Sequence, residues 1–211
     1  MLLKVYKMLE IKQVTLEGKY ILLRPPSNND LEELSSAAQD GEIWNNPYAL
    51  FPTVSEMSEY LQNLLKEEEQ QQKKTILPFI IIHKQSSKIV GTTRYLNIDY
   101  DNYHIEIGHT WLAKSYRKTV VNTESKLLML QHAFENLNCI AVEIRTDILN
   151  DISRKAIERL GAKQDGILRN HKIMRNGRIR DTVCYSIIKS EWPNVKANLI
   201  QKIINYDNNY K

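Results

Sequence analysis

HIEIGHTWLAKSYRKTVVN, residues 104–122, and AVEIRTDILNDISRKAIERLGA, residues 141–162, set the architecture of this chain. From His104 to Leu112 apolar and polar side chains alternate, as on a half-buried strand. A long helix is expected from Thr119 to Leu137, with Leu127, Leu130, Phe134 and Leu137 on one face. Ile140 to Thr146 reads as a second strand, and Asp151 to Leu160 as a short helix closed by Gly161. The loop from Arg117 to Asn122 then joins a strand to a helix N-terminus, where main-chain N–H groups and the helix dipole can converge on an anion such as a diphosphate. Every strand-to-helix turn has such groups, so a plain connection stands beside that reading.

Upstream, Tyr20 to Ser27 alternates and stops at two prolines, as a first strand entering a loop does. Asp30 is a candidate cap for a helix carrying Leu34, Ala37 and Ala38, and a second helix is expected from Ser55 to about Lys74, ending in the polar run EEEQQQKK. ILPFIIIHK and KIVGTTRYLNIDY read as two strands that form an antiparallel meander with the strand beginning at Tyr103. Downstream, Asn176-Gly177 between two strand-like runs is a strong hairpin signal. A final helix is expected from Glu191 to Asn205, packed over the outside. A meander followed by alternation implies a mixed sheet with helices on both faces, of class α/β (α+β). The expected division is an extension over 1–15, one domain over 16–190 and a helical extension over 191–211. Met8 is a second plausible start.

With 211 residues, 42% hydrophobic and 26% charged, the chain is long enough to bury one core and is not compositionally disordered. No apolar run approaches the roughly 20 residues of a membrane span, and lysines interrupt the N-terminus where a leader would be apolar, so a cytoplasmic protein with no membrane partner is expected. Cys139 and Cys184 read as buried free thiols. The net charge of +4 permits an anionic partner without requiring nucleic acid.

Three groups of residues are candidates for chemistry. Asn150 and Ser153 have the spacing of an N-cap and the N–H it accepts. Glu106 is a candidate base, with an exposed strand carboxylate as the alternative. Strict alternation would put His104, Glu106, Gly108 and Thr110 on one face, and Ile105, Ile107, His109 and Trp111 on the other. His104, Glu106 and His109 then fail to converge, which argues against a metal. Arg169, His171, Lys172, Arg175, Arg178 and Arg180 make the last hairpin basic: a site for an acidic peptide, RNA or a phosphate, or simply a solvated hairpin. Without interleaved aromatics a nucleic-acid platform is the weaker reading.

The segment from Tyr103 through Trp192 resembles the GCN5-related N-acetyltransferases (GNAT), within them the branch that includes the ribosomal-protein N-terminal acetyltransferases. The resemblance is carried by HIEIGHTWL, RKTVVNTESKLLMLQHAFE, NDIS, ERLGAKQDGILR and RDTVCYSIIKSEW, with a weaker match at LLRPPSNNDLEEL. It implies a twisted, mostly antiparallel sheet of about seven strands and acetyl-CoA as cosubstrate, with no metal. The implied reaction is direct attack by a primary amine, on a small molecule or a protein N-terminus, in a monomer or homodimer. A weak base acting through water suffices for an α-amine with a pKa of about 8. By that resemblance Glu106 is the base and Ser153 the donor to the leaving thiolate. Arg117, Lys118, Thr119, Val120, Val121 and Asn122 form the pyrophosphate loop. Asn150 lies beside the pantetheine, and Thr110, Trp111 and Leu112 supply backbone groups where the strand splays. The family has small residues where this chain has Val120 and Asn122, and a tyrosine where it has Ile157, departures that leave a non-catalytic acyl-CoA-binding or sensing domain, beside a basic RNA-associated protein, as the alternative to an enzyme. Helical backbone angles through the loop would preserve its N–H groups.

Overall fold

The computed structural model describes residues 11–69 and 75–209, joined in a single eight-stranded sheet of order β1-β2-β3-β4-β5-β6-β8-β7. The strands are β1 (Leu16–Glu17), β2 (Ile21–Arg24), β3 (Leu77–His83), β4 (Lys88–Asp99), β5 (His104–Leu112), β6 (Ala141–Asp147), β7 (Lys163–Ile173) and β8 (Ile179–Ile188). All neighbours are antiparallel except β5 and β6, which are parallel. The eighth strand, absent from the expectation of about seven, is the two-residue β1.

The helices are α1 (Leu31–Gln39), α2 (Met57–Glu69), α3 (Val120–Gln131), α4 (Asp151–Leu160) and α5 (Trp192–Asn209). Leu34, Met57, Leu61 and Leu64 of α1 and α2 bury against Ile80, Ile89 and Trp111 on one face of the sheet. On the other face Met129, Leu130, Ile157, Leu160, Trp192, Val195 and Leu199 of α3, α4 and α5 enclose the larger core. The C-terminal helix therefore contributes to that core. α3 continues into a π turn over His132–Asn136, where the Tyr95 hydroxyl donates to the Met129 carbonyl at 2.6 Å.

Local chemistry sets the boundaries. Ser27 caps the short 3-10 turn Asn28–Asp30 in a reciprocal capping box, and Asp30 is taken by Arg24 at 2.6 Å, so Asp30 does not cap α1 with its side chain as expected. The expected stretch of α2 beyond Glu69, at 70–74, lies outside the described residues, as do 1–10 with Met8. Gly161 ends α4 at φ 106, and Gly177 turns the last hairpin at φ 77. Cys139 is buried, and burial pushes its thiol up to about 12; Cys184, expected buried, is only partly covered. No described helix is long and apolar enough to cross a membrane.

α3 is fastened to the first strands by a carboxylate that sequence patterning leaves unmarked. Glu124, 3% exposed, accepts the backbone N–H groups of Lys19 at 2.8 Å, Tyr20 at 2.8 Å and Ile21 at 2.9 Å. Gly18 makes room for it, since a Cβ there would stand 2.5 Å from the carboxyl carbon.

Candidate active site

The site begins with a failure of alternation in β5. Thr92 pairs with Trp111 and Arg94 with Gly108, so two residues of β5, His109 and Thr110, oppose the single Thr93. This is a β-bulge, and His109 takes φ 48 within it. One extra residue reverses every later side chain. Thr110, expected beside Glu106, points instead to the α3 side, and Trp111, expected opposite, lies on Glu106's side. The hydrogen bonds register this reversal. Lys126 of α3 donates to Thr110 Oγ1 at 2.6 Å and to Thr93 Oγ1 at 3.3 Å. On the other face the Tyr60 hydroxyl of α2 accepts from Trp111 Nε1 and Arg94 Nη2, each at 3.2 Å. Its own proton is thereby directed to Thr92 Oγ1, 2.8 Å away. The bulge is clamped from both sides of the sheet.

Lys126 is buried with no carboxylate partner among the described residues, and desolvation lowers its amine to about 7. An amine near 10.5 in the unfolded chain and near 7 in the fold makes the unfolded state bind more protons between those values, so stability should rise with pH across that window. Relative to Lys126→Met, wild type should gain at most about 1.4 kcal/mol per pH unit from pH 7 upward. Urea midpoints at several pH values measure it, and parallel curves would contradict it.

β5 and β6 pair only at His104–Ala141, Ile105–Val142 and Glu106–Glu143. Past Glu106 no ladder pair joins them, so the two strands part and their facing backbone edges are not bonded to each other. Because the strands are parallel, both of their C-terminal ends and the N-termini of α3 and α4 lie at the same end of the sheet. Such an end is where ligands bind in parallel sheets.

Glu106 stands at the apex of this gap, 7% exposed. Its Oε2 accepts from Asn97 Nδ2 at 2.7 Å and lies 3.4 Å from Arg145 Nε. Desolvation outweighs both and raises the carboxyl above its ordinary range, with Glu143 adding to the rise. Arg145 is held chiefly by Glu143 at 2.6 Å, and His104 lies 3.8 Å from Glu143 rather than against Glu106. Oε1 has no hydrogen bond from a described residue.

Several cations gather around Glu106 on the α2 side. Arg94 is tied to Glu67 at 2.8 Å and to the Tyr60 hydroxyl. Lys172 and Arg180 are cross-strand partners on β7 and β8, and both interact electrostatically with Glu106. Arg178 pairs with buried Asp147, and Arg178 and Arg180 bond the carbonyls of Pro47 and Tyr48. Arg175 reaches Glu56 at 3.2 Å. Arg175 and Arg178 are thus matched by carboxylates within the chain. His109, expected on the opposite face, feels these cations. Its ring still meets solvent, yet desolvation, then Arg94, Lys172 and Arg180, push its imidazole down to about 4. Among the described residues no group of three His, Cys, Asp or Glu side chains is placed to hold a metal.

At the far end of the gap, Thr119 caps α3, accepting the Val121 N–H at 3.3 Å, and Val120, Val121 and Asn122 are helical. Val120 and Val121 are buried at 4% and 1%, so their side chains point into the core and leave the N-terminal face of the helix to the main chain. Lys118 takes φ 61, and Arg117 Nε donates to the Leu112 carbonyl at 2.9 Å. Across the gap Asn150 caps α4 by accepting the Ser153 N–H at 3.0 Å, and the Ser153 hydroxyl, half-buried, has no partner among the described residues.

A family model described as an acetyltransferase (GNAT) domain matches residues 21–163. An N-acetyltransferase of Bacillus licheniformis, p20, is 26% identical over 182 residues, covering 84% of this chain and 98% of that protein. Among solved structures, a GCN5-related N-acetyltransferase from Brucella melitensis superposes with a TM-score of 0.82 at 27% identity, covering 94% of this chain and 90% of its own. Mycobacterium smegmatis RimJ in complex with CoA-disulfide shares the fold at a TM-score of 0.73 and 20% identity, covering 86% and 88%.

Proposed function

Since the chain belongs to the GNAT acetyltransferase family, we propose that it transfers an acetyl group from acetyl-CoA to a primary amine by direct attack while both are bound. The observation that carries this reading is the parting of β5 and β6 immediately after Glu106. The gap offers hydrogen-bonding backbone edges to an extended amide chain such as pantetheine. The N-terminus of α3, with Arg117, Lys118, Thr119, Val120, Val121 and Asn122, would face the diphosphate, and Thr110, Trp111 and Leu112 would line the arm. Mycobacterium smegmatis RimJ, in complex with CoA-disulfide, shares the fold, and this supports acetyl-CoA as the cosubstrate.

The amine would approach Glu106 from the α2 side. Glu106, ionised, takes its proton through a water as the nitrogen attacks the thioester carbon. A C–N bond forms, the C–S bond breaks, and the Ser153 hydroxyl donates a hydrogen bond to the departing thiolate, passing to it a proton that Ser153 regains from solvent. Main-chain N–H groups at the gap stabilise the carbonyl oxygen as charge develops on it. A protein N-terminus and a small amine are both acceptors of this kind. Incubation with acetyl-CoA and a panel of peptides and small amines should release free thiol in an amine-dependent way; release that is absent with every amine would sink the proposal.

A further inference from the structure

We infer that the acceptor carries an anionic group, a carboxylate or phosphate, close to its reacting amine, and that Arg180 and Lys172 hold it. The inference rests on the acyl-transfer reading above. It starts from an arrangement that packing alone does not explain: Lys172 and Arg180 are directly opposite each other on β7 and β8, where like charges repel. The strand registers put both on the Glu106 side of the sheet. Arg180 stands two residues from Thr182, which pairs with Asp147, and Asp147 stands two residues from Arg145, beside Glu106.

The charges facing this space do not cancel. Arg94 is matched by Glu67, Arg145 by Glu143 with Glu106 close by, and Arg178 by Asp147. Arg180 comes no nearer than 4.0 Å to the carboxylate that Arg178 already holds. Its side chain is 13% exposed; Nε donates to Thr182 and Nη1 to the Tyr48 carbonyl, leaving Nη2 without an acceptor among the described residues. Lys172, exposed opposite it, makes no ion pair or hydrogen bond with a described residue. His109, near the same cations, adds no negative charge. A fixed, partly desolvated guanidinium with a free donor, flanked by an uncommitted ammonium, suits a carboxylate or phosphate far better than a second cation. With Glu106 ionised, the named groups still leave one positive charge in excess, so a cationic acceptor is the disfavoured one.

The test uses the full chain with matched acceptors: peptides beginning Ser-Asp, Ser-Asn or Ser-Lys, and glycine against glycinamide. The peptide and amino-acid arms separate an acidic protein N-terminus from a small amino acid as the source of the anion. In at least one arm kcat/KM should favour the anionic member by about tenfold or more, the effect of one charge-assisted hydrogen bond. The preference should shrink as salt rises. Lys172→Glu should reduce it about tenfold and Lys172→Gln less, whereas Lys88→Glu, at the start of β4, should leave it intact. Equal rates for anionic and neutral members, or a preference for the cationic peptide, would overturn the inference and leave acetyl transfer standing. Thiol release from no member would overturn both.

Discussion

Glu106→Gln is expected to lower acetyl transfer to an α-amine by about 10²-fold while leaving the affinity for acetyl-CoA unchanged. The substitution keeps the shape of the side chain. Its amide oxygen can still accept from Asn97, and Arg145 retains Glu143 at 2.6 Å, so the apex of the gap should hold its geometry. What disappears is the proton acceptor. Burial places the Glu106 carboxyl above the ordinary range, so wild-type activity should fall with decreasing pH earlier than an exposed glutamate would dictate. On the proposed reaction the ionised carboxylate is the working form. The difference between wild type and variant should therefore be largest above that raised pKa and shrink below it, where wild type is protonated too. Rate profiles against pH, with cofactor affinity measured separately, check both parts; unchanged turnover would remove Glu106 from the reaction.

Glu124→Ala should cost about 3–5 kcal/mol of stability, lowering the melting temperature by roughly 10 °C, because three backbone N–H groups lose their acceptor inside the fold. Glu124→Gln should cost less, since one oxygen remains to accept. Gly18→Ala should also destabilise, because its Cβ would press on the carboxylate that the variant retains. Thermal and urea unfolding measure all three. If Glu124→Ala melted within a degree or two of wild type, the clamp between α3 and the β1–β2 turn would be incidental.

These two residues also mark how far the sequence was legible. The meander, the long helix, the capped α4 and the Asn-Gly hairpin are written in local periodicity and turn chemistry, and the structure has them. Glu106 was visible as a carboxylate between isoleucines at a strand start. What stayed hidden depends on partners far along the chain. Nothing local to GHTWL announces a bulge at His109, which is held by Tyr60 and Lys126 from other elements, yet that one residue exchanges the faces of Thr110 and Trp111. Glu124 carries no local signal, because its donors lie over 100 residues away. Asp147 occupies Arg178 across strands, and Pro47 and Tyr48 occupy more of the hairpin's donors. A count of basic residues therefore overstated how much of that charge is free.

The proposed reaction has both reactants bound when the C–N bond forms. Initial rates with acetyl-CoA and an accepted amine varied together test this most directly. Attack in a ternary complex predicts double-reciprocal lines that intersect. Parallel lines, with an acetylated enzyme isolable after exposure to acetyl-CoA alone, would contradict it and move the chemistry to a covalent intermediate on the protein.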